Sequence, residues 1–460
     1  MSTPATVMRG SSNWRRTACA LAIAVSASGC ASFPINPPLE RWAPSGPVPT
    51  AETGRREDMV ILLAFSGGGT RAAAFSYGVL EELRDMEVEI GGKRRRILDE
   101  VDVVSGVSGG SFTAAYYGLR GDGIFDGFAE RFLHRNVEMA LLGRLLNPIN
   151  WFRLASPFFA RSDLAAEYYD RQIFDGATFA DLSRGPGVEL VINTTDLVRG
   201  SRFSFRQPEL DFICADLSGI PISRAVAASS AVPGILTPIV LRSYAGTCGF
   251  EPPPWIASAL VHRDDSRRRL RQAEILDSYL DPRQEYVYLM DGGIEDNLGV
   301  RFIFERTVRE GDLEQTLESA GLAGVREIVM IVVNAETEPE LSGRDGRPIA
   351  TSLMTLIRTV AGIQTRSTNF ETLELVRSSF EKWVRELSAR RGHTIGFHLV
   401  DLYFDALPDA VERTYLRNLP TTFRLDREAI DRLRAAGRTL LRSSPQMQEA
   451  LRRISDLPPR

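Results

Sequence analysis

The sequence predicts an α/β protein with three layers. A mainly parallel central sheet carries helices on both faces, and a mostly helical extension follows at the C-terminal end. Two observations carry this reading. From residue 59 onward, apolar runs of strand length alternate with stretches of helical periodicity. Continuous apolar runs mark strands buried on both faces. Two of these runs end in glycine-rich turns that open straight into helical segments: Ser66-Gly67-Gly68-Gly69-Thr70-Arg71 and Gly106-Val107-Ser108-Gly109-Gly110. Strand, tight turn, helix is the repeating connection of such a sheet.

Residues 60–65 read as the first buried strand, followed by a helix over 72–86 with Phe75, Val79 and Leu83 on one face. Residues 101–104 form the second strand and 109–119 the second helix. The runs 189–194, 202–205, 286–290 and 327–333 complete the main strand set, with a last strand over 398–404. Residues 352–387 read as one or two long helices. Residues 426–441 form an amphipathic helix with Ile430, Leu433 and Leu440 on its apolar face. Residues 137–160 break the rhythm. They are rich in Leu, Phe, Trp and Ile, with Pro148 and Pro157 interrupting. Since apolar runs are usually core, the expectation is a helical pair packed in the second layer; the other reading is a lipid-facing cap. No internal repeat is visible.

The bulk composition is that of a globular protein, 43% hydrophobic and 25% charged over 460 residues. A formal net charge of -4 gives no reason to expect a nucleic-acid partner. The N-terminus has a different character. Arg9, Arg15 and Arg16 precede a short apolar run at 18–25, and Ala27-Ser28-Gly29-Cys30 follows. A basic region, a short apolar region and small residues make an export signal too short to span as a stable helix. The cysteine closing it resembles the lipobox of bacterial lipoproteins, although Ala27 stands where Leu is usual. That resemblance implies cleavage before Cys30, lipidation of Cys30, and, with Ala31 rather than Asp next, an outer-membrane location facing the periplasm. The bland alternative is an ordinary signal cut near Ala27, or an uncleaved anchor. Loss of residues 1–29, with three Arg and no acid, would take the charge from -4 to -7. Residues 30–58 hold six prolines and read as an extended tether. The expected organisation is therefore signal 1–29, tether 30–58, core 59–336 and extension 337–460. Cys214 and Cys248 remain after processing. In an oxidising compartment they are expected to pair, the alternative being two separate buried thiols.

Three motifs carry the chemistry. Gly106-x-Ser108-x-Gly110 places a serine on a strained turn between strand and helix, the geometry of a nucleophile elbow; the bland reading is a tight connection. Gly67, Gly68 and Gly69 open a helix and offer N–H donors to an oxyanion. A phosphate loop is disfavoured because its Lys-Ser/Thr is missing, and a packing turn is the structural alternative. Asp291-Gly292-Gly293 sets a carboxylate at a strand end, where it can serve as a general base, or merely as a helix cap or a calcium-like turn. Together they supply the parts of ester hydrolysis. The four histidines, His134, His262, His393 and His398, lie in no such motif. His393 and His398 follow Asp291, so a Ser-Asp-His order is not excluded.

These motifs, with the small-residue block 227–234 ending in Val232-Pro233-Gly234, resemble the patatin-like phospholipases over about residues 60–298. The resemblance implies a patatin-like α/β/α fold and a lipid acyl hydrolase with a Ser108–Asp291 dyad. No catalytic histidine, cofactor or metal is implied. Gly67–Gly69 would form the oxyanion loop, and Arg71 would hold a lipid phosphate or else pair with an acid. Membrane lipids would be substrate, with the membrane reached through Cys30. Ala72, where a glycine is often found, is the one departure. Competing readings are a catalytically inactive lipid- or partner-binding member of the fold, and a Ser-Asp-His esterase. Oligomeric state and lipid specificity are not legible.

Overall fold

The computed structural model describes residues 36–44, 55–157, 159–263, 265–337 and 353–458, with 353–364 as helix path only. The signal segment and Cys30 lie outside the described residues.

The chain begins β1 (Met59–Phe65), α1 (Gly69–Asp85), a hairpin of β2 (Glu87–Ile90) and β3 (Lys93–Arg96), β4 (Val101–Val107) and α2 (Gly109–Arg120). Three shorter helices follow: α3 (Val137–Leu146), α4 (Pro148–Leu154) and α5 (Arg161–Tyr169). Then come β5 (Glu189–Asp196), β6 (Ser201–Phe205), α6 (Ile222–Ser229), β7 (Ile239–Arg242), β8 (Tyr286–Asp291), α7 (Arg301–Glu310) and β9 (Glu327–Asn334). The C-terminal part is α8 (Leu353–Arg391), β10 (Gly396–Tyr403), α9 (Arg427–Ser443) and α10 (Pro445–Ser455).

The main sheet has the order β10-β9-β1-β4-β5-β8-β7, with β6 also on β5. The five strands from β10 to β5 are parallel; β6, β7 and β8 enter antiparallel. Period-two alternation along β1 divides the interior into two cores. Ile61, Leu63 and Phe65 face one cluster with Phe75, Phe112 and Leu433, which places α1, α2 and α9 on that side. Val60, Leu62 and Ala64 face the other, with Phe302, Phe304, Val376 and Phe380 of α7 and α8. This is the expected α/β/α fold.

Several expectations change. Helix α1 starts at Gly69 rather than 72, and β4 runs on to Val107. The last strand expected over 398–404 is present as β10, which joins the main sheet beside β9, so the extension adds a strand to the core sheet as well as packing on it. Helix α9 lies against α1, where Arg434 pairs with Glu81 and Arg442 with Glu82, both at 2.7 Å. The stretch 30–58 is not a free tether throughout. Asn36 holds Arg242 and Tyr244, the Leu39 N–H donates to Cys214 O at 2.7 Å, and the Trp42 N–H donates to Cys248 O at 2.9 Å. Cys214 and Cys248 form a disulfide, Cα–Cα 5.6 Å, so the arm docks on the loop that this bond closes. Prolines lack donors, but the residues between them use theirs here. The pair α3–α4 does lie over the body, yet much of its apolar surface faces out, against the second-layer expectation. No helix among the described residues is long and apolar enough to cross a membrane.

Candidate active site

The site begins with the edge of β5. β6 occupies one edge of β5 from Ile192 to Asp196. On the opposite edge β4 pairs up to Val107↔Asn193, and β8 takes over at Thr194↔Asp291. β8 therefore ends where β4 ends, and the residue after Val107 meets Asp291.

That residue is Ser108, with φ 48 and ψ -119. Positive φ in a residue with a Cβ is strained by about 1–3 kcal/mol and persists only when its surroundings hold it. They do so here. The Ser108 N–H donates to Ser229 Oγ at 2.9 Å, and Ser229 Oγ donates to Asn193 O at 2.7 Å. The Ser108 carbonyl accepts from Ser111 N–H and Ser111 Oγ. Below the turn, Asn193 Nδ2 donates to Ser105 Oγ at 2.8 Å, and Ser105 Oγ donates to Gly299 O at 2.6 Å. Sequence reasoning did not single out Asn193, and Ser229 entered only as part of a small-residue block. A polar Asn-Thr-Thr-Asp ending to an apolar strand was the available signal for Asn193.

Ser108 Oγ donates to Asp291 Oδ2 at 2.8 Å. The other carboxylate oxygen accepts the Gly293 N–H at 2.8 Å. Burial pushes the Asp291 carboxyl up to about 6, and those two hydrogen bonds pull it back only in part. A carboxylate so placed can act as a proton acceptor near neutral pH.

The two glycine turns touch. A Cβ on Gly109 would sit 1.9 Å from Gly69 O, so the elbow and the first loop approach to backbone contact. Within that loop the three glycines differ. The Gly67 N–H donates to Asn297 O at 3.0 Å, so Gly67 is corrected from the oxyanion set: its donor is spent. The N–H groups of Gly68 and Gly69 have no acceptor among the described residues. Gly69 opens α1, so its N–H is one of the unpaired donors of a first helical turn.

Arg71 does not face the site. It is buried and donates to Ala335 O at 2.9 Å, Leu419 O at 2.8 Å and Thr421 Oγ1 at 3.1 Å. Both expected roles, phosphate ligand and simple acid partner, give way to one that ties the glycine loop to the C-terminal extension. Burial pulls its guanidinium down to about 10, with the nearby Glu336 carboxylate opposing. The Thr70 N–H donates to Thr422 O at 2.9 Å, so the segment 419–423 lies across the loop.

The late histidines are elsewhere. His398 is buried against Glu327 at 3.0 Å, near the start of the parallel strands. Its register runs through Val329 and Ile61 to Val101, seven residues before Ser108. At about 3.3 Å per residue that is roughly 23 Å. His393 precedes β10 and bonds Arg391 O. His134 pairs with Glu130 and His262 bonds Ser258 O. Among the described residues, no group of three or more metal-ligating side chains converges.

Fold and site together define an α/β protein built round a nucleophile elbow with a facing carboxylate. The chain belongs to the patatin-like phospholipase family, whose profile matches residues 63–303. Solved structures to which the chain is similar include human GIVD cytosolic phospholipase A2, at 13% identity and TM-score 0.39, covering 89% of this chain and 62% of that one. VipD from Legionella pneumophila is 12% identical with TM-score 0.30, covering 91% and 71%. The type III effector ExoU is 17% identical with TM-score 0.23, covering 57% and 61%. The chain thus spans about three fifths of the length of the human structure. A comparison with curated protein sequences finds no match.

Proposed function

We propose that the protein is a lipid acyl hydrolase of phospholipase A or lysophospholipase type, working through a Ser108–Asp291 dyad. The observation that carries this is the 2.8 Å hydrogen bond from Ser108 Oγ to a buried Asp291 whose carboxyl sits near 6. Membership of the patatin-like phospholipase family supports lipid esters as the substrate class.

In this scheme Asp291 takes the Ser108 proton as Oγ attacks the ester carbonyl carbon. The Gly68 and Gly69 N–H groups hold the oxyanion. When the tetrahedral adduct collapses, the C–O bond to the alcohol breaks and the alcohol leaves with the proton from Asp291. A water then gives one proton to Asp291 and attacks the acyl carbon; as that adduct collapses the acyl–Oγ bond breaks, Oγ takes the proton back from Asp291, and the fatty acid leaves.

The test is an ester screen over diacyl phospholipids, lysophospholipids and short-chain esters, with fluorophosphonate labelling. Ser108→Ala and Asp291→Asn should each lose about 10³-fold or more in kcat while staying folded. Wild type inert to every ester and to the label would make the chain an inactive binding member of the fold. A folded single-histidine variant as dead as Ser108→Ala would establish a triad. We further propose that Cys30 is lipidated, so that the enzyme is an exported outer-membrane lipoprotein facing the periplasm. The arm docks from Asn36, and six residues span at most about 20 Å. Metabolic fatty-acid labelling of wild type, absent in Cys30→Ser, is the check.

A further inference from the structure

The pair α3–α4 carries an outward apolar face. Met139, Leu142 and Leu146 recur at helical spacing on α3; Ile149 and Phe152 are three apart on α4, with Trp151 between. Ile149 is 71% exposed, Phe152 64%, Leu146 61% and Trp151 57%. The other side of α3 is also apolar: Val137 is buried, and Ala140 and Leu141 pack on the main core. A helix apolar on two opposite faces is normally covered on both. A large exposed patch on a soluble domain marks an interaction site.

The pair is well held, so the exposure is not fraying. Asn136 and Asn147 cap the two helices. Trp151 Nε1 donates to Leu145 O at 2.9 Å, and Asn150 Nδ2 donates to Arg144 O at 2.8 Å.

Between Glu138 at the start of α3 and Asp163 on α5, the charged side chains are all basic. Residues 139–161 contain Arg144, Arg153 and Arg161 and no acid, in a chain of net charge -4. Arg153 pairs with Glu167 on α5, and Arg144 stands over the Tyr168 ring at 5.3 Å. Glu138 is engaged with Thr422 Oγ1 at 2.6 Å and Phe423 N–H at 2.9 Å. Exposed Trp, Phe and aliphatic side chains with a basic rim are the composition of a surface that lies in the headgroup region of a bilayer.

The location fits. The Val137 N–H donates to Phe423 O, and the adjacent Thr422 O accepts the Thr70 N–H beside Gly69. The face therefore begins one contact away from the loop that borders Ser108.

We propose that α3–α4 is the surface by which this protein docks on an anionic lipid bilayer, seating the catalytic mouth at headgroup level. The proposal rests on the lipid-hydrolase reading above. The occupant is lipid rather than protein because Arg144 and Arg161, which form no ion pair among the described residues, match an anionic surface, and the neighbouring site takes lipid esters.

The test uses the full chain as Cys30→Ser, so that an acyl anchor does not hold it. Flotation is measured with phosphatidylglycerol-rich and phosphatidylcholine vesicles, comparing this protein with the same chain also carrying Ile149→Ser and Phe152→Ser. Both substituted side chains are more than half exposed, so the fold should survive. Binding should favour the anionic vesicles. The double change should reduce it about 100-fold, roughly tenfold per seated side chain. Hydrolysis of a soluble short-chain ester should stay within about twofold. Binding that ignores both lipid charge and the substitutions overturns the proposal. So does a wild-type face that binds no vesicle but forms a concentration-dependent dimer that the substitutions abolish. A protein that docks as expected but cleaves no ester keeps this proposal and sinks the hydrolase reading.

Discussion

Asp291→Asn should inactivate the protein and also stabilise it, by an amount that depends on pH. In the folded state the Asp291 carboxyl titrates near 6 because burial disfavours its charged form. Its ordinary value is 3.8. Between those two values the unfolded chain releases the proton and the folded chain keeps it. The folded state then binds more protons, so stability falls as pH rises through this window. The gap between the two values corresponds to roughly 3 kcal/mol lost by pH 7, and nothing is lost below pH 3.8. Asn keeps the shape and has no proton to lose. At about 2.1 cal/mol/K of unfolding entropy per residue, this chain gains about 1 °C in Tm per kcal/mol. The variant should match wild type at pH 3.5 and exceed it by about 3 °C at pH 7.5, read by calorimetry across that range. In the same window, wild-type kcat/KM for a soluble ester should rise tenfold per pH unit and level off above about 6, as the base loses its proton. A difference in Tm independent of pH, or activity already flat at pH 4.5, would refute the assignment of the raised carboxyl to Asp291.

Other consequences concern the loop and its supports. Gly69→Ala puts a Cβ 2.4 Å from Thr422 O at a φ of +63, so it should cost about 1–3 kcal/mol and most activity; unchanged kinetics would show that segment 419–423 gives way freely. Arg71→Ala strips hydrogen bonds from two backbone carbonyls and Thr421, and should destabilise by about 3 kcal/mol without altering headgroup preference. A variant with intact Tm and changed headgroup preference would restore the phosphate-binding role. Cys214→Ser with Cys248→Ser opens a loop of separation 34 and should lose about 4 kcal/mol in the chain-entropy view, measured by denaturant unfolding. The same change should loosen the arm at Leu39 and Trp42, visible as faster amide exchange there.

Much of the site was legible in the chain because its parts are local. A strand running into a glycine turn and out as a helix is written within a dozen residues. Ser108 at φ 48, Gly69 at the start of α1 and Asp291 at the end of β8 all follow from such short patterns. The three-layer fold was legible for the same reason: buried strands are apolar throughout and helices are periodic. What only the tertiary structure decided is how the parts meet. Ser108 and Asp291 are 183 residues apart, and they meet because β8 inherits the edge of β5 that β4 leaves. No local pattern encodes which strand takes that edge. The same holds for the donors. Gly67 looks like its two neighbours in sequence, but Asn297 O lies within reach of its N–H. Arg71 looks like a ligand for phosphate until the extension supplies three acceptors. An apolar run at 137–160 reads the same whether it faces a core or a bilayer. Composition reports the wish to leave water, and only the packing around it says where that surface goes.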